Sequence, residues 1–365
     1  MSVRTKVTLI DLPAEGIVTF DIGGTWFRSG LVTSDGNATG VSCTSAINFK
    51  NSPLLNVDEL QQGLIEYLLE RSRCFQNRAE NAQPRFAAIA LGAAINGNTG
   101  LVLNSGPLWG TESKPLDLSA ELNRREPTIE WAVVNDVTAE LLWNVRQWPK
   151  PLKRASLITV STGVGSRIYD GHRNYIPVDF EIGIQGEIGH LPIAFFIGDQ
   201  RIARQCDCGG LNHLNAFCSG RGIEAILPLA AEYFKRSFEH SSIAGKAPSA
   251  LTFADLVDAA RLNNAFAVEV VNLVTLPVAE MILRLFTFDP EIEVVFLTGG
   301  VVHSLHPFYM DAVLGHLNRL GLYLVSQFNP SFFKERLALG CADGQSGLKG
   351  AALAFSVRQE EGLSN

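Results

Sequence analysis

The sequence reads IVTFDIGGTWFRSGL over residues 17–31, and this stretch decides the fold class that we expect. Its first five residues are typical of a short buried strand, which ends on the carboxylate of Asp21 and runs into a glycine turn. Residues 157–171 repeat the same order of strand, hydroxyl-and-glycine turn and second strand. Two such copies predict two similar α/β domains that face each other across a cleft.

The length of the chain also favours two domains, because single hydrophobic cores stop growing well below 365 residues. We place the boundary near residue 150, in a short segment rich in proline. The prediction is an N-terminal α/β domain over residues 1–150 and a C-terminal α/β domain over residues 151–345, which includes a cysteine-bearing loop at 186–220. A last helix over about residues 346–360 is expected to return to the first domain.

Composition excludes several classes of partner. Hydrophobic residues make up 46% and charged residues 18% of the chain, which is typical of a folded globular protein. A net charge of −7 gives no reason to expect nucleic acid or an anionic membrane as a partner. We find no transmembrane run or secretion signal, and six cysteines in so long a chain do not form a disulfide framework. We therefore expect a cytoplasmic protein.

Three glycine-rich turns follow predicted strands, at residues 22–25, 162–166 and 298–300. The chain lacks the Gly-x-x-x-x-Gly-Lys-Ser/Thr pattern of a P-loop and has no Gly-x-Gly-x-x-Gly after its first strand. Each turn is either an ordinary hairpin with a glycine bulge or a site where bare backbone N–H groups approach a phosphate. In the second case, turns from both domains would hold a nucleotide between them, with Asp21 near its metal ion.

Polar residues at other strand ends are candidate ligand contacts. Asn96, Asn104 and Ser105 lie in loops that are either simple turns or parts of a binding site. Asn135 and Asp136 follow the apolar strand 131–134 and precede a predicted helix. Asp136 is either the N-cap of that helix or a general base, and Asn135 could hydrogen-bond a hydroxyl.

The loop at residues 186–220 combines cysteine and histidine at close spacing. His190, Cys206, Cys208 and His213 supply enough nitrogen and sulfur ligands for one tetrahedral zinc ion. The alternative is a glycine-rich loop with chance cysteines that act as small apolar side chains. We favour a structural zinc site that positions Glu187 and His190 to hold a polar ligand.

In their order along the chain, these motifs resemble the ROK family (repressors, open reading frames and sugar kinases) over about residues 17–355. The resemblance is carried by Asp21-Ile22-Gly23-Gly24-Thr25, Asn135-Asp136, Thr162-Gly163-Val164-Gly165, Gly186-Glu187-Ile188-Gly189-His190, Cys206-Asp207-Cys208-Gly209, Thr298-Gly299-Gly300 and the segment 347–352. It implies the two-domain, actin-like and hexokinase-like (ribonuclease H-like) fold with an interdomain cleft. The implied activity is ATP-dependent phosphorylation of a sugar hydroxyl, with Mg²⁺ as cofactor.

The resemblance also implies roles for individual residues. Asp136 would be the general base, and Asn135, Glu187 and His190 would contact the substrate, as would the residue at position 215. His190 would also bind zinc with Cys206 and Cys208. ATP would be held by Asp21, Gly23, Gly24 and Thr25 in the first turn, by Thr162, Gly163 and Gly165 in the second, and by Gly299 and Gly300 near the adenosine.

The chain departs from the family pattern at the metal loop and at the substrate position. The third cysteine of the family is His213 here, which zinc accepts readily, with Cys218 as a rival fourth ligand. The substrate-binding glutamate of the family is Asn215, and the loop at 92–97 lacks the usual proline. An amide both donates and accepts hydrogen bonds, so the substrate is expected to differ from the usual sugars.

Kinases of C7 cyclitols also resemble this family, and they give a second prediction for the substrate. A homodimer is expected, as in similar kinases. We do not expect a sugar-responsive transcription repressor, because only 20 residues precede Asp21, too few for a DNA-binding domain. A non-catalytic sugar-binding regulator is the remaining alternative from another class.

Overall fold

The computed structural model describes residues 12–78, 83–96, 99–112, 114–177, 186–341 and 343–363, the last seven as backbone. The first part of the chain forms β1 (Ile17–Ile22), β2 (Trp26–Val32), β3 (Ala38–Ser45), α1 (Val57–Arg78), β4 (Phe86–Leu91), β5 (Ala94–Ile95), β6 (Val102–Asn104), α2 (Gly106–Trp109), α3 (Leu118–Arg125), β7 (Glu130–Asn135) and α4 (Asp136–Gln147). The second part forms β8 (Arg154–Val160), β9 (Val164–Asp170), β10 (Phe195–Ile197), β11 (Gln200–Ile202), α5 (Asn215–Cys218), α6 (Gly220–Tyr233), α7 (Lys235–Glu239), α8 (Phe253–Arg261), α9 (Ala265–Phe288), β12 (Val294–Thr298), α10 (Gly300–Ser304), α11 (Phe308–Leu320), α12 (Val325–Phe328), α13 (Phe332–Arg336), β13 (Leu337–Leu339) and α14 (Ser346–Leu363). Two 3₁₀ turns complete the list, at Ile188–His190 and Pro248–Ala250.

The described residues divide into two units, and the division differs from the expected one. One unit lies within Met1–Leu152, Arg167–Gln185 and Cys341–Asn365, and the other within Lys153–Ser166 and Gly186–Gly340. The first unit therefore contains residues 167–177, which the sequence analysis placed in the second domain. It also contains α14, which lies against α4 and β1.

The first unit is built on a five-stranded sheet with strand order β3-β2-β1-β4-β7. β1 pairs antiparallel with β2 and parallel with β4, and β4 pairs parallel with β7. The parallel strands are runs of apolar residues because both faces of the sheet are covered. Since carboxyl ends of parallel strands meet at one edge, the residues that follow β1, β4 and β7 are neighbours there.

A four-stranded sheet with strand order β13-β12-β8-β9 repeats this plan, and its strands β13, β12 and β8 and the first three residues of β9 (164–166) belong to the second unit. β12 is parallel to both β8 and β13, so the turns after β8 and β12 also lie at one edge. β8 and β9 correspond to β1 and β2, as the internal repeat predicted. The core of this unit surrounds α9, whose residues Phe266, Val270, Val274 and Ile282 are buried.

Helix α9 is 24 residues long with a mean hydropathy of 1.8 over its most apolar window, so it is apolar enough by length and composition to cross a membrane. Most of that window, 61%, is buried inside the unit, where α9 packs against α8 and α11. An apolar and mostly buried helix of this kind is typical of the core of a globular unit. It remains the only such helix among the described residues.

Candidate active site

The first glycine turn is a hairpin that joins β1 to β2. The N–H of Gly23 donates to the carbonyl of Trp26, 3.1 Å away, and Asn48 donates to the carbonyl of Gly24 at 2.9 Å. A Cβ at Gly24 would lie 2.6 Å from the Cβ of Pro107, so only glycine fits there. The side chain of Thr25 is exposed at the turn.

Asp21 occupies the end of β1, opposite Arg28 on β2. The guanidinium of Arg28 lies 3.0 Å from the Asp21 carboxylate, whose side chain is 17% exposed. Burial raises the pKa of the Asp21 carboxyl, and the Arg28 guanidinium opposes that rise. A Cβ at Gly347, in the first turn of α14, would lie 2.6 Å from the Asp21 carboxyl carbon. Asp21 is therefore fixed between a cation and a helix backbone.

Asp136 is the first residue of α4, directly after β7. Asn135 is the N-cap, because its Oδ1 accepts from the N–H groups of Val137 and Thr138. Its Nδ2 donates to the carbonyl of Ala93 at 3.0 Å. Both polar groups of Asn135 thus have structural partners, and the cap does not depend on Asp136.

The Asp136 carboxylate has one oxygen at the helix backbone and the other beside a glycine. Its Oδ1 accepts from the N–H of Val137 at 2.9 Å. A Cβ at Gly92, just after β4, would lie 3.1 Å from its Oδ2. The helix N-terminus favours the ionised form of the carboxylate. The bare backbone of Gly92 therefore lies next to Oδ2.

The predicted loop contacts have different environments. Asn104, at the end of β6, has a buried Oδ1 for which the described residues offer no hydrogen-bond partner. Ser105 is completely buried, and its hydroxyl donates to the carbonyl of Gly92 at 2.7 Å. Direct contact between Ser105 and a substrate, as the sequence analysis predicted, is incompatible with this burial, since its hydroxyl supports the loop instead. Asn96 accepts from the N–H of Thr99, and residues 97 and 98 of the predicted loop lie outside the described residues.

The second glycine turn joins β8 to β9, with Thr162 and Gly163 in the turn and Gly165 as the second residue of β9. The N–H of Ser161 donates to the carbonyl of Gly163 at 2.8 Å, which closes the turn. Gly299 follows β12 with a φ of 98°, and a Cβ there would overlap the Val160 carbonyl oxygen. Apart from its chain neighbours and the backbone of its own helix, a Cβ at Gly300 would have no described atom within 4 Å, and Gly300 is exposed. The backbone at Gly300 is therefore accessible.

The segment 187–190 lies beside the second glycine turn, within the second unit. Glu187 precedes the 3₁₀ turn, and its carbonyl accepts from the N–H of His190 at 3.0 Å. The Oδ1 of Asn215 accepts from the N–H of Val164 at 2.6 Å, and its Nδ2 lies 3.5 Å from Nε2 of His190. Glu187, His190, Asn215 and the second turn are thus one local group.

His190, Cys206, Cys208 and His213 form the cluster that the sequence predicted. One ligand atom from each lies within 4.8 Å of all the others. Sγ of Cys206 is 4.0 Å from Nδ1 of His190, and Sγ of Cys208 is 3.2 Å from Nδ1 of His213. Ligands around a tetrahedral zinc ion are separated by about 3.5 Å, given Zn–S and Zn–N bonds of about 2.3 and 2.0 Å.

The donor set fits zinc on further grounds. Burial lowers the pKa of His190, which favours the neutral imidazole that a metal requires. A Cβ at Gly210 would overlap the ring of His213, so this glycine admits the imidazole that replaces the third cysteine. Cys218, the rival ligand, is fully buried in the core and lies outside the cluster. Burial raises the pKa of its thiol, as expected for an inert cysteine.

Three residues to which the sequence analysis assigned no individual role lie beside predicted site residues. Arg28, Gly92 and Gly347 contact or adjoin the two predicted acidic residues, Asp21 and Asp136. Arg28 could have been found, since a hairpin turn at residues 23–26 sets position 28 opposite position 21. A surface cavity of about 620 Å³ along α1 is lined by none of the predicted site residues and is not a candidate.

Comparison with known proteins identifies the family. A sequence model of the ROK family matches residues 17–356. The chain is 33% identical over 345 residues to a 2-epi-5-epi-valiolone 7-kinase of an Actinoplanes species, covering 94% of this chain and 93% of that protein. The chain therefore belongs to the ROK family, as its motifs predicted.

Two further comparisons agree with this family assignment. A C(7)-cyclitol 7-kinase of Streptomyces hygroscopicus subsp. limoneus is 28% identical over 346 residues, which cover 94% of each protein. The fold resembles that of a ROK family glucokinase from Streptomyces griseus, solved with glucose and AMPPNP, with a TM-score of 0.71 and 17% identity over 93% of this chain and 98% of that one. The expected actin-like fold is confirmed.

Proposed function

We propose that this protein is an ATP-dependent kinase that phosphorylates the primary hydroxyl of a C7 cyclitol. The observation that carries the proposal is the Asp136 carboxylate at the end of β7, with Oδ2 next to the bare backbone of Gly92. A carboxylate in this position is within reach of an alcohol that enters beside Gly92. The choice of a cyclitol follows the 7-kinases that match nearly the whole chain.

The reaction is an in-line transfer. The alcohol oxygen attacks the γ-phosphorus of ATP, the bond from that phosphorus to the β,γ-bridging oxygen breaks, and ADP leaves. Asp136 accepts the alcohol proton, which raises the nucleophilicity of the oxygen as the new bond forms. When bound, Mg²⁺ neutralises phosphate charge, and Asp21 is the residue that we assign to its water shell.

The phosphate and substrate contacts are part of the same proposal. We assign the backbone of Gly23, Gly24 and Thr25 and that of Thr162, Gly163 and Gly165 to the phosphates, and Gly299 and Gly300 to the adenosine. Glu187, His190, Asn96 and Asn104 are assigned to acceptor hydroxyls, whereas the side chain of Asn135 is used by the cap of α4 and the carbonyl of Ala93. The unpartnered Oδ1 of Asn104 supports its assignment, because a buried acceptor without a donor is costly until a hydroxyl supplies one.

We also propose a structural zinc ion on His190, Cys206, Cys208 and His213, supported by their mutual distances. Zinc would hold the loop that carries His190 and would take no part in the transfer itself. A cytoplasmic homodimer without nucleic acid or membrane partners completes the proposal.

The test is a kinase assay over 2-epi-5-epi-valiolone and related C7 cyclitols, hexoses and N-acetylhexosamines, with ADP release and the ³¹P spectrum of the product as readouts. We expect turnover with a cyclitol and a phosphomonoester on its primary carbon. Turnover with hexoses alone would contradict the substrate and support a sugar kinase. Binding of a sugar without ADP release would instead support the non-catalytic regulator.

Asp136→Asn tests the general base. We expect at least a ~10²-fold loss of phosphoryl transfer, the lower range for general-base catalysis, with an unchanged circular dichroism spectrum. The cap on α4 is retained in this variant because Asn135 supplies it. Turnover like that of the wild type would refute the assignment.

A further inference from the structure

The side-chain amide of Asn215 lies between two glycine-containing segments of the second unit. Its Oδ1 accepts from the N–H of Val164 at 2.6 Å, in the second glycine turn. A Cβ at Gly189 would overlap this oxygen, and a Cβ at Gly163 would lie 3.7 Å from it. The amide therefore touches the backbone of the turn on one side and the backbone of the segment 187–190 on the other.

The other end of the amide also faces the protein. Nδ2 of Asn215 lies 3.5 Å from Nε2 of His190. Both polar groups of the side chain are thus directed at protein atoms, one at the predicted phosphate turn and one at the predicted substrate residue. A substrate hydroxyl at Oδ1 would share that oxygen with the N–H of Val164, next to the covering backbone of Gly189.

The backbone from which this side chain extends is itself fixed. The hydroxyl of Ser219 donates to the carbonyl of Asn215 at 2.7 Å and accepts from the N–H of Gly222 at 3.1 Å, which caps α6. A Cβ at Gly222 would lie 2.5 Å from the same carbonyl oxygen. Asn215 is therefore held by a regular helix terminus, which is the support that a positioning side chain needs.

We infer that Asn215 is a positioning residue for the second glycine turn and does not bind the acceptor alcohol. It holds the N–H of Val164 inward and so fixes the turn in the conformation that presents its remaining backbone N–H groups to the nucleotide phosphates. This role differs from the substrate contact that the sequence analysis predicted. It rests on the proposed function, because that proposal assigns the turn to ATP.

The first experiment measures hydrogen exchange of the peptide that contains Val164, in the protein without nucleotide. Asn215→Ala removes the acceptor, and we expect about tenfold faster exchange at this amide. Asn215→Asp keeps an acceptor oxygen, so exchange should remain close to that of the wild type. Asn272→Ala is the matched control, because Asn272 is an exposed asparagine of the same unit whose side-chain amide donates to the carbonyl of Val268 in its own helix.

The second experiment separates the nucleotide from the acceptor. For Asn215→Ala we expect the Kd of Mg²⁺-AMPPNP, measured by calorimetry without acceptor, to rise about three- to tenfold, the value of one lost hydrogen bond. The KM of the acceptor should stay within about twofold of the wild-type value. Should Asn215→Ala fail to fold, Asn215→Ser replaces it in both experiments.

A higher acceptor KM with an unchanged AMPPNP Kd and unchanged exchange at Val164 would overturn the inference in favour of a direct substrate contact. Equal exchange in Asn215→Ala and the wild type would overturn it by itself. If the wild-type protein neither binds AMPPNP nor phosphorylates any acceptor, the proposed function fails. The exchange comparison separates that result from failure of the hydrogen bond, because it is made without nucleotide.

Discussion

At the scale of single residues, the structure makes Asn135 the N-cap of α4. Sequence alone left Asp136 as either helix cap or general base, because both roles suit an acid at this position. Asn135 accepts from two N–H groups at the start of α4 and so performs the capping. The positive end of the helix dipole at the start of α4 favours the ionised carboxylate that the proposed general base requires.

Gly92→Ala is the residue-scale test of this geometry. The added methyl group would lie 3.1 Å from Oδ2 of Asp136, closer than side-chain carbons normally approach an oxygen. We expect kcat to fall roughly tenfold, since small displacements of a reacting group are costly, while the thermal midpoint changes little. Steady-state kinetics and calorimetry measure the two quantities.

Gly106→Ala is the matched control for that substitution. Around a Cβ at Gly106 no described atom lies within 4 Å, although the residue belongs to the same unit. Its kcat should equal that of the wild type. Equal kcat values for Gly92→Ala and the wild type would mean that Oδ2 does not need the space beside Gly92.

At the scale of helices and strands, local signals predicted most of the framework. The sequence predicts a helix over residues 308–320, and α11 has these bounds. The spacing of Thr252 and Asp255 predicts a capping box, and this box starts α8. Strand β3 was missed because it is a mostly exposed edge strand without an apolar pattern. The sequence also predicts one helix over residues 222–237, but the structure has α6 and α7 there, because Phe234 leaves the helical conformation.

The sequence likewise predicted only part of the candidate site. Motif residues such as Asp136 and His190 could be named from sequence because each follows a recognisable strand or loop signal. The approach of Gly347 to Asp21 could not, since more than 300 residues separate them and only the return of α14 to β1 brings them together. Local patterns carry no information on such long-range contacts.

Substitutions in α14 separate a site effect from a stability effect. In Gly347→Ala the methyl group would displace the Asp21 carboxylate, because its carbon would lie 2.6 Å from the carboxyl carbon. We expect phosphoryl transfer to fall about tenfold or more, with little loss of stability. In Gly350→Ala the methyl group would overlap the carbonyl of Ala139 in α4, so we expect a loss of about 1–3 kcal/mol in unfolding free energy.

Urea unfolding and initial rates on both variants measure these effects. Gly315→Ala in α11 is the control, because its methyl group would have no described neighbour within 4 Å. It should be neutral or slightly stabilising, as alanine favours a helix over glycine. A Gly347→Ala variant with normal turnover would show that the position of Asp21 is unimportant for the reaction.

The start of α8 gives a prediction on pH. The Lys246 ammonium and the N–H of Thr252 hold the pKa of the Asp255 carboxyl below its usual range. A lowered folded-state pKa stabilises the fold above the ordinary pKa of about 4, and the contribution is lost as pH falls through the folded-state value. Asp255→Ala should therefore cost about 1 kcal/mol at pH 7 and progressively less below about pH 4.

Urea unfolding at several pH values checks this expectation. Asp258→Ala, on the same helix, is the control, because Asp258 is exposed and lies beside Arg261 one turn away. Its effect on the unfolding free energy should be near zero throughout. A pH-independent cost for Asp255→Ala would show that the cap does not depend on the charge of the carboxylate.

At the scale of the whole molecule, the two units have separate cores and separate candidate groups. Asp21 and Asp136 belong to the first unit, whereas the second glycine turn and the histidine–cysteine cluster belong to the second. Asp21 and Asp136 lie at the carboxyl ends of β1 and β7, and the second glycine turn follows β8, so the internal repeat in the sequence becomes two comparable sheet edges. A substitution in one group should therefore affect the structure of its own unit first.

Removal of the cluster tests this independence. Cys208→Ser should reduce bound zinc from about one equivalent to less than about a third, because serine is a poor zinc ligand. Hydrogen exchange should then accelerate in residues 186–214 and stay unchanged in α1, whose core belongs to the other unit. Cys43→Ser is the matched control, since Cys43 is also an exposed free thiol but lies on β3.

Equal zinc in Cys208→Ser and the wild type, or less than about a third of an equivalent in wild-type protein purified without chelator, would contradict a zinc site. Acceleration in α1 as great as that in residues 186–214 would contradict the independence of the two units.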